Sequence, residues 1–141
     1  ELHPPPGSRG RRQRADTMDH MHAVVRSMMS PDAGADPLDQ YRPPTSDLFA
    51  VFVQFEIGPS EGPGAELFGL TVCSPQWLLQ QQWPKGFEFL HSTLVIERWD
   101  VELIGQAVGS LCERTSGADW PAIAQSLSRF MAWEFADYHA S

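Results

Sequence analysis

Residues 48–73 read LFAVFVQFEIGPSEGPGAELFGLTVC, and their folding decides what the rest of the chain must do. Over 48–57, Phe49, Val51, Val53, Phe55 and Ile57 alternate with Gln54 and Glu56, the period of two that a strand shows when one face is buried. Glycine and proline crowd GPSEGPG at 58–64, after which Phe68, Leu70 and Val72 restore the alternation up to Cys73. Two apolar strands around such a loop predict a long hairpin, its first strand central in a sheet. A hairpin is at best marginal in water by itself, so the flanking sequence has to supply more strands and a covering layer.

Working outward, MHAVVRSMMS at 21–30 predicts a strand, with His22, Val24 and Arg26 on one side and Ala23, Val25 and Ser27 on the other, halted by Pro31. The block 31–47, PDAGADPLDQYRPPTSD, carries four prolines and four aspartates and predicts an extended surface connector able to fold back over an edge strand. Beyond the hairpin, Ser74 as N-cap and Pro75 at the first helical position predict a short helix over QWLLQQQW, with Trp77 and Leu78 toward the sheet and Pro84 and Gly86 ending it. The segment from Phe87 to Trp99 contains a fourth strand, strongest over STLVIERW, where Leu94 and Ile96 alternate with Val95, Glu97 and Trp99. Asp100 then caps a helix, VELIGQAVGSLCER, whose buried line is Val101, Ile104, Val108 and Leu111, with Gly117 beyond its end. Finally 118–138, ADWPAIAQSLSRFMAWEFADY, reads as a long amphipathic helix capped by Asp119, its stripe formed by Trp120, Ile123, Ala124, Leu127, Phe130, Met131, Phe135 and Tyr138. Strands early and helices late predict an α+β architecture, a mainly antiparallel sheet of about four strands with two or three helices packed on one face.

With 141 residues, 42% of them hydrophobic and 11% aromatic, the chain suits a single domain with a real core. Residues 1–20 hold four arginines and a triple proline without apolar period and read as a flexible extension; 21–141 form the domain. That domain carries six Lys or Arg against fifteen Asp or Glu. A net negative body argues against nucleic-acid binding, which needs cations to displace counterions from phosphate, and suits a basic partner. Arg11 and Arg12 precede no apolar run of signal length, and no window has the roughly twenty apolar residues a membrane helix needs. Cys73 and Cys112 lack framework spacing, which fits a reduced cytoplasmic setting.

Gly58-Pro59-Ser60-Glu61-Gly62 matches G-x-S-x-G, yet a nucleophile elbow needs a helix after its turn and this one leads into another strand. His20, His22, His91 and His139 have no metal-ligand spacing with either cysteine, so neither metal nor cofactor is expected. Carboxylates gather at Glu97, Asp100 and Glu102, where the fourth strand meets its helix, and at Glu134 and Asp137 near the end of the last one. Acids at a helix C-terminus oppose its dipole, which makes Glu134 and Asp137 poor choices for stability and candidates for partner contact, with Trp133 as a neighbouring aromatic anchor. On this reading Glu134→Ala costs little stability and Phe135→Ala costs about 3–5 kcal/mol.

The segments MHAVVRSMMSPD, FVQFEIGP with LFGLTVCSPQWL, STLVIERWD and SLSRFMAWEFADY together resemble the immunity protein 8 family of bacterial polymorphic toxin systems, over about residues 21–138. VCSPQWL and SRFMAWEFADY are the most specific of these. The resemblance implies a small non-enzymatic cytoplasmic protein that binds the catalytic domain of a cognate toxin and protects the producing cell. It carries no known binding residues onto this chain, so the candidate contacts remain Glu97, Asp100, Glu102, Trp133, Glu134 and Asp137, suited to a basic, nuclease-like toxin. Two other readings stay open: a small hydrolase using Ser60 or a carboxylate pair, and an adaptor binding a peptide along a sheet edge.

Overall fold

The computed structural model describes residues 21–134 of the chain; the extension at 1–20 and the positions of Phe135, Asp137, Tyr138 and His139 lie outside them. In chain order the elements are β1 (Met21–Met29), β2 (Ala50–Pro59), β3 (Glu66–Cys73), α1 (Pro75–Leu79), β4 (Thr93–Val95), α2 (Val101–Arg114), β5 (Ser116–Gly117), α3 (Trp120–Leu127) and β6 (Ala132–Trp133). Two single-turn 3-10 segments, Pro31–Ala33 and Leu38–Gln40, break up the connector between β1 and β2.

The strands form one sheet in the order β4-β3-β2-β1-β5, with β6 also against β3. The α+β class holds, but the sheet has six strands and is mixed, because β4 lies parallel to β3. The reason is the connection. Ser74–Ser92 carry the chain through α1 and a long loop back to the edge of β3 at Thr71–Cys73, and such a crossover delivers a parallel strand where a hairpin cannot. The central hairpin is as expected: β2 and β3 pair antiparallel from Ala50↔Cys73 to Ile57↔Glu66.

Val51, Val53, Phe55 and Ile57 of β2 and Phe68, Leu70 and Val72 of β3 are all buried. They share one cluster with Ile104, Val108 and Cys112 of α2 and Ile123, Ala124 and Leu127 of α3. On the other face Phe52 lies across Gly69, where an added Cβ would come within 2.6 Å of the ring, so that aromatic covers the side-chain gap of a glycine in mid-strand. The hairpin loop is held by Arg26, at an irregularity in the β1 register, whose guanidinium donates to the carbonyls of Gly64 (3.0 Å), Gly62 (2.9 Å) and Pro59. Gly62 and Gly64 have φ of +98° and +100°, values that favour glycine.

The predicted last helix is two elements. α3 begins as expected, with the Asp119 carboxylate accepting from the Ala122 N–H at 3.0 Å, but it stops at Leu127. The N–H groups of Phe130 and Met131 then turn back on the Leu127 carbonyl, at 3.0 Å each, and the chain straightens into β6 opposite Phe68 and Gly69. Tertiary pairing has overridden helical periodicity: β3's edge at Phe68 gains a partner strand, and Trp133 gains a stacked ring.

β4 is also shorter than expected, since its ladder stops at Val95, and Phe87–Leu90 lie exposed in the loop before it. After Val95 the alternation lapses, so Trp99, expected opposite Leu94 and Ile96, is buried instead. It meets Phe49 and Tyr41 edge-on and donates its indole N–H to the Tyr41 carbonyl at 3.0 Å. The connector is therefore pinned rather than merely draped, and Asp32 accepts the Phe52 N–H at 3.0 Å, beyond the last β1–β2 partners Met29 and Gln54. Among the described residues no buried side-chain nitrogen or oxygen lacks a hydrogen-bond partner.

Candidate partner-binding site

α2 starts where the sequence marks it. The Asp100 carboxylate accepts the Leu103 N–H at 3.1 Å, and Glu102 stands exposed in the first turn, where the positive end of the helix dipole favours an acid. Trp99, immediately before the cap, fastens this helix start to the connector, which brings Asp39 alongside. Asp39, Asp100 and Glu102 thus border one cleft of about 780 Å³, with Met28, Trp99, Val101 and Gly105 also in its lining. Arg42 is the cation of this lining, and its guanidinium donates to the connector's own carbonyls at Asp39 (3.2 Å) and Tyr41 (3.0 Å).

Of the predicted contacts, Asp100 and Glu102 come together here, and Asp39 joins them without any sequence signal, because only the distant Trp99 brings its turn into place. Glu97 is exposed nearby in sequence but does not line the cleft. Trp133 and Glu134 belong elsewhere. β6 pairs at Phe68 and Gly69, in the first half of β3, whereas β4, which leads on to Trp99 and Asp100, pairs at its end from Thr71 to Cys73. Trp133 is buried, stacks on Phe68 with ring centroids 6.2 Å apart, and donates its indole N–H to Glu66 at 2.7 Å. Glu134 is not at a helix end: its carboxylate accepts the Leu67 N–H at 2.8 Å while its own N–H donates to the Leu67 carbonyl. Asp137 lies outside the described residues.

Among the described residues the candidate nucleophiles stand apart from the cleft. Ser60 sits exposed in the β2–β3 loop, and its N–H donates to the His22 carbonyl at 2.8 Å. Burial raises the pKa of both thiols, that of Cys112 to about 11 with help from Glu113, so each stays a protonated, poor nucleophile at neutral pH. Ser92, with φ of +59°, has its hydroxyl on Nδ1 of His91, and Nε2 of that ring meets the Ser128 carbonyl at 3.0 Å. Neither residue lines the cleft, and the contact serves to tie the start of β4 to the end of α3. Among the described residues no group of three His, Cys, Asp or Glu could hold a metal ion, and no helix is long and apolar enough to cross a membrane.

A family model described as immunity protein 8 matches residues 23–138. The chain belongs to the immunity protein 8 family. The match takes in the cleft, β6 and all of the sheet except Met21 and His22, the first two residues of β1. No curated protein and no solved structure matches this immunity protein 8 member.

Proposed function

We propose that this immunity protein 8 member binds and neutralises the catalytic domain of a cognate polymorphic toxin, acting in the cytoplasm of the producing bacterium and doing no chemistry itself. The observation that carries the reading is the family match over residues 23–138. The site chemistry supports it. Asp39, Asp100 and Glu102 form an acidic rim over an apolar floor, which fits a basic, nuclease-like surface: attraction speeds encounter, and the floor around Met28 and Val101 receives an apolar side chain. Glu97, exposed three residues before Asp100, is a further candidate contact, whereas Trp133 and Glu134 act by keeping β6 in place.

The other two readings have less behind them. Ser60 lacks the strand–turn–helix setting of a nucleophile elbow. β1 carries its register irregularity at Val25–Ser27, which blunts that strand against addition of a further one. The experiment is co-expression with the toxin encoded beside this chain. Restored growth and co-purification as a complex are expected; unrelieved toxicity with no complex contradicts the proposal.

A further inference from the structure

We infer that the loop between α1 and β4, with the groove beside it, is a second docking surface of this protein, and that its occupant is an apolar cavity of the toxin domain edged by carboxylates. The inference rests on the toxin-binding reading above. Leu79, Phe87, Phe89 and Leu90 are 85%, 59%, 90% and 52% exposed. One exposed leucine is ordinary, but four large apolar side chains within residues 79–90 make a patch of the kind that marks an interaction site. Phe87 and Phe89 pack edge to face on each other, ring centroids 6.1 Å apart, so the pair projects as a formed knob.

The patch continues into the body. The bond from His91 to Ser128 brings the loop's end to the turn that carries Phe130, itself 55% exposed. Phe130, Met131, Leu94 and Leu111 line a groove of about 370 Å³ beside Arg114. Lys85 lies in the loop, Arg129 in the turn and Arg114 in the groove lining, against one exposed acid in the loop, Glu88, so the surroundings of this apolar surface lean positive in a chain whose net charge is −8. An apolar face with a basic rim calls for apolar groups ringed by carboxylates. That chemistry is the opposite of what the acidic cleft selects.

α2 joins the two surfaces. Val101, Glu102, Gly105 and Gln106 line the acidic cleft, and Ala107, Val108, Leu111 and Arg114 line the groove. A helix of 14 residues is about 21 Å long, so one partner lying along it reaches both ends, and the opposed charges fix which way round it lies. A second copy fits this face less well. The two exposed rings offer roughly 300 Å² by themselves against the ~800 Å² per partner of a standard interface, whereas a partner lying along α2 also covers the acidic cleft.

The test is the double variant Phe87→Ser/Phe89→Ser, bound to the catalytic domain of the toxin encoded beside this chain. The rings are exposed, so the urea midpoint stays at the wild-type value, while the dissociation rate rises about 30- to 100-fold, as loss of a hot-spot pair does. Wild-type binding with an unchanged dissociation rate in the variant overturns this inference and leaves the toxin-binding reading standing. A wild-type protein that does not bind the domain overturns both. Sedimentation showing a wild-type dimer that the double variant abolishes identifies the occupant as a second copy and overturns the assignment to the toxin.

Discussion

The two ends of β3 carry the same ingredients to different ends. At one, Trp99 sits beside Asp100 and Glu102; at the other, Trp133 sits beside Glu66 and Glu134. Both tryptophans are buried and both donate their indole N–H. The carboxylates separate them. Glu66 and Glu134 each give one oxygen to the sheet, accepting from the Trp133 indole and the Leu67 N–H, and Asp100 gives one as a cap, whereas Asp39, Asp100 and Glu102 also border an open cleft. Aromatic-plus-acid composition therefore does not identify a binding surface. Asp100 and Glu102 line a cleft, while Glu134 is bonded along the edge of β3.

The comparison can be broken first at its structural end. Trp133→Ala removes the stacked ring, the Glu66 bond and the anchor of β6, and a loss of about 3–5 kcal/mol is expected in urea unfolding. A loss under about 1 kcal/mol would mean that β6 contributes little to the sheet. Glu134→Ala is expected to cost about 1 kcal/mol, because an exposed but charge-assisted bond to the Leu67 N–H goes with it, with the association rate to the toxin domain unchanged. This revises the near-neutral cost expected from sequence.

At the cleft the pattern reverses. Asp100→Asn with Glu102→Gln keeps the cap, since Asn caps as well as Asp, and changes stability by no more than about 0.5 kcal/mol. The same pair lowers the association rate several-fold at low salt; an effect on stability alone would make both cleft acids structural, like Glu134.

The smallest effect sharpens the account of the core between the two ends. The unfolded chain releases the Cys112 proton near pH 9.0, the folded protein near pH 11. The associated stability is complete below pH 9 and is lost as pH rises through about 11. The urea midpoint should fall across that window in the wild type and less steeply in Cys112→Ala.

How far the sequence discloses this fold depends on the range of the forces involved. The β2–β3 hairpin was legible because strict alternation from Phe49 to Ile57 and from Phe68 to Val72 records local burial on one face. The caps at Ser74, Asp100 and Asp119 were legible for the same reason, each being a side chain bonded to a backbone within three residues. The break at Leu127 was not. Phe130 to Trp133 are four apolar residues in a row, so the exposed–buried alternation of β6 arises only from its pairing with β3. Nothing local announces that Trp99 reaches back 58 residues to Tyr41, and with that contact comes Asp39. The segment from Phe87 to Trp99 reads as containing a strand strongest over STLVIERW, and β4 covers only Thr93–Val95, which leaves Phe87–Leu90 in solvent.

The central claim, that an acidic rim at the start of α2 draws in a basic toxin domain, is tested most directly by the association rate constant as a function of ionic strength, for the wild type and for Asp39→Asn/Asp100→Asn/Glu102→Gln. The wild-type rate should fall steeply from low to physiological salt, where the screening length shrinks to about 8 Å, and the triple variant should begin low and stay nearly flat. A wild-type rate indifferent to salt, or a triple variant with the wild-type slope, would contradict it.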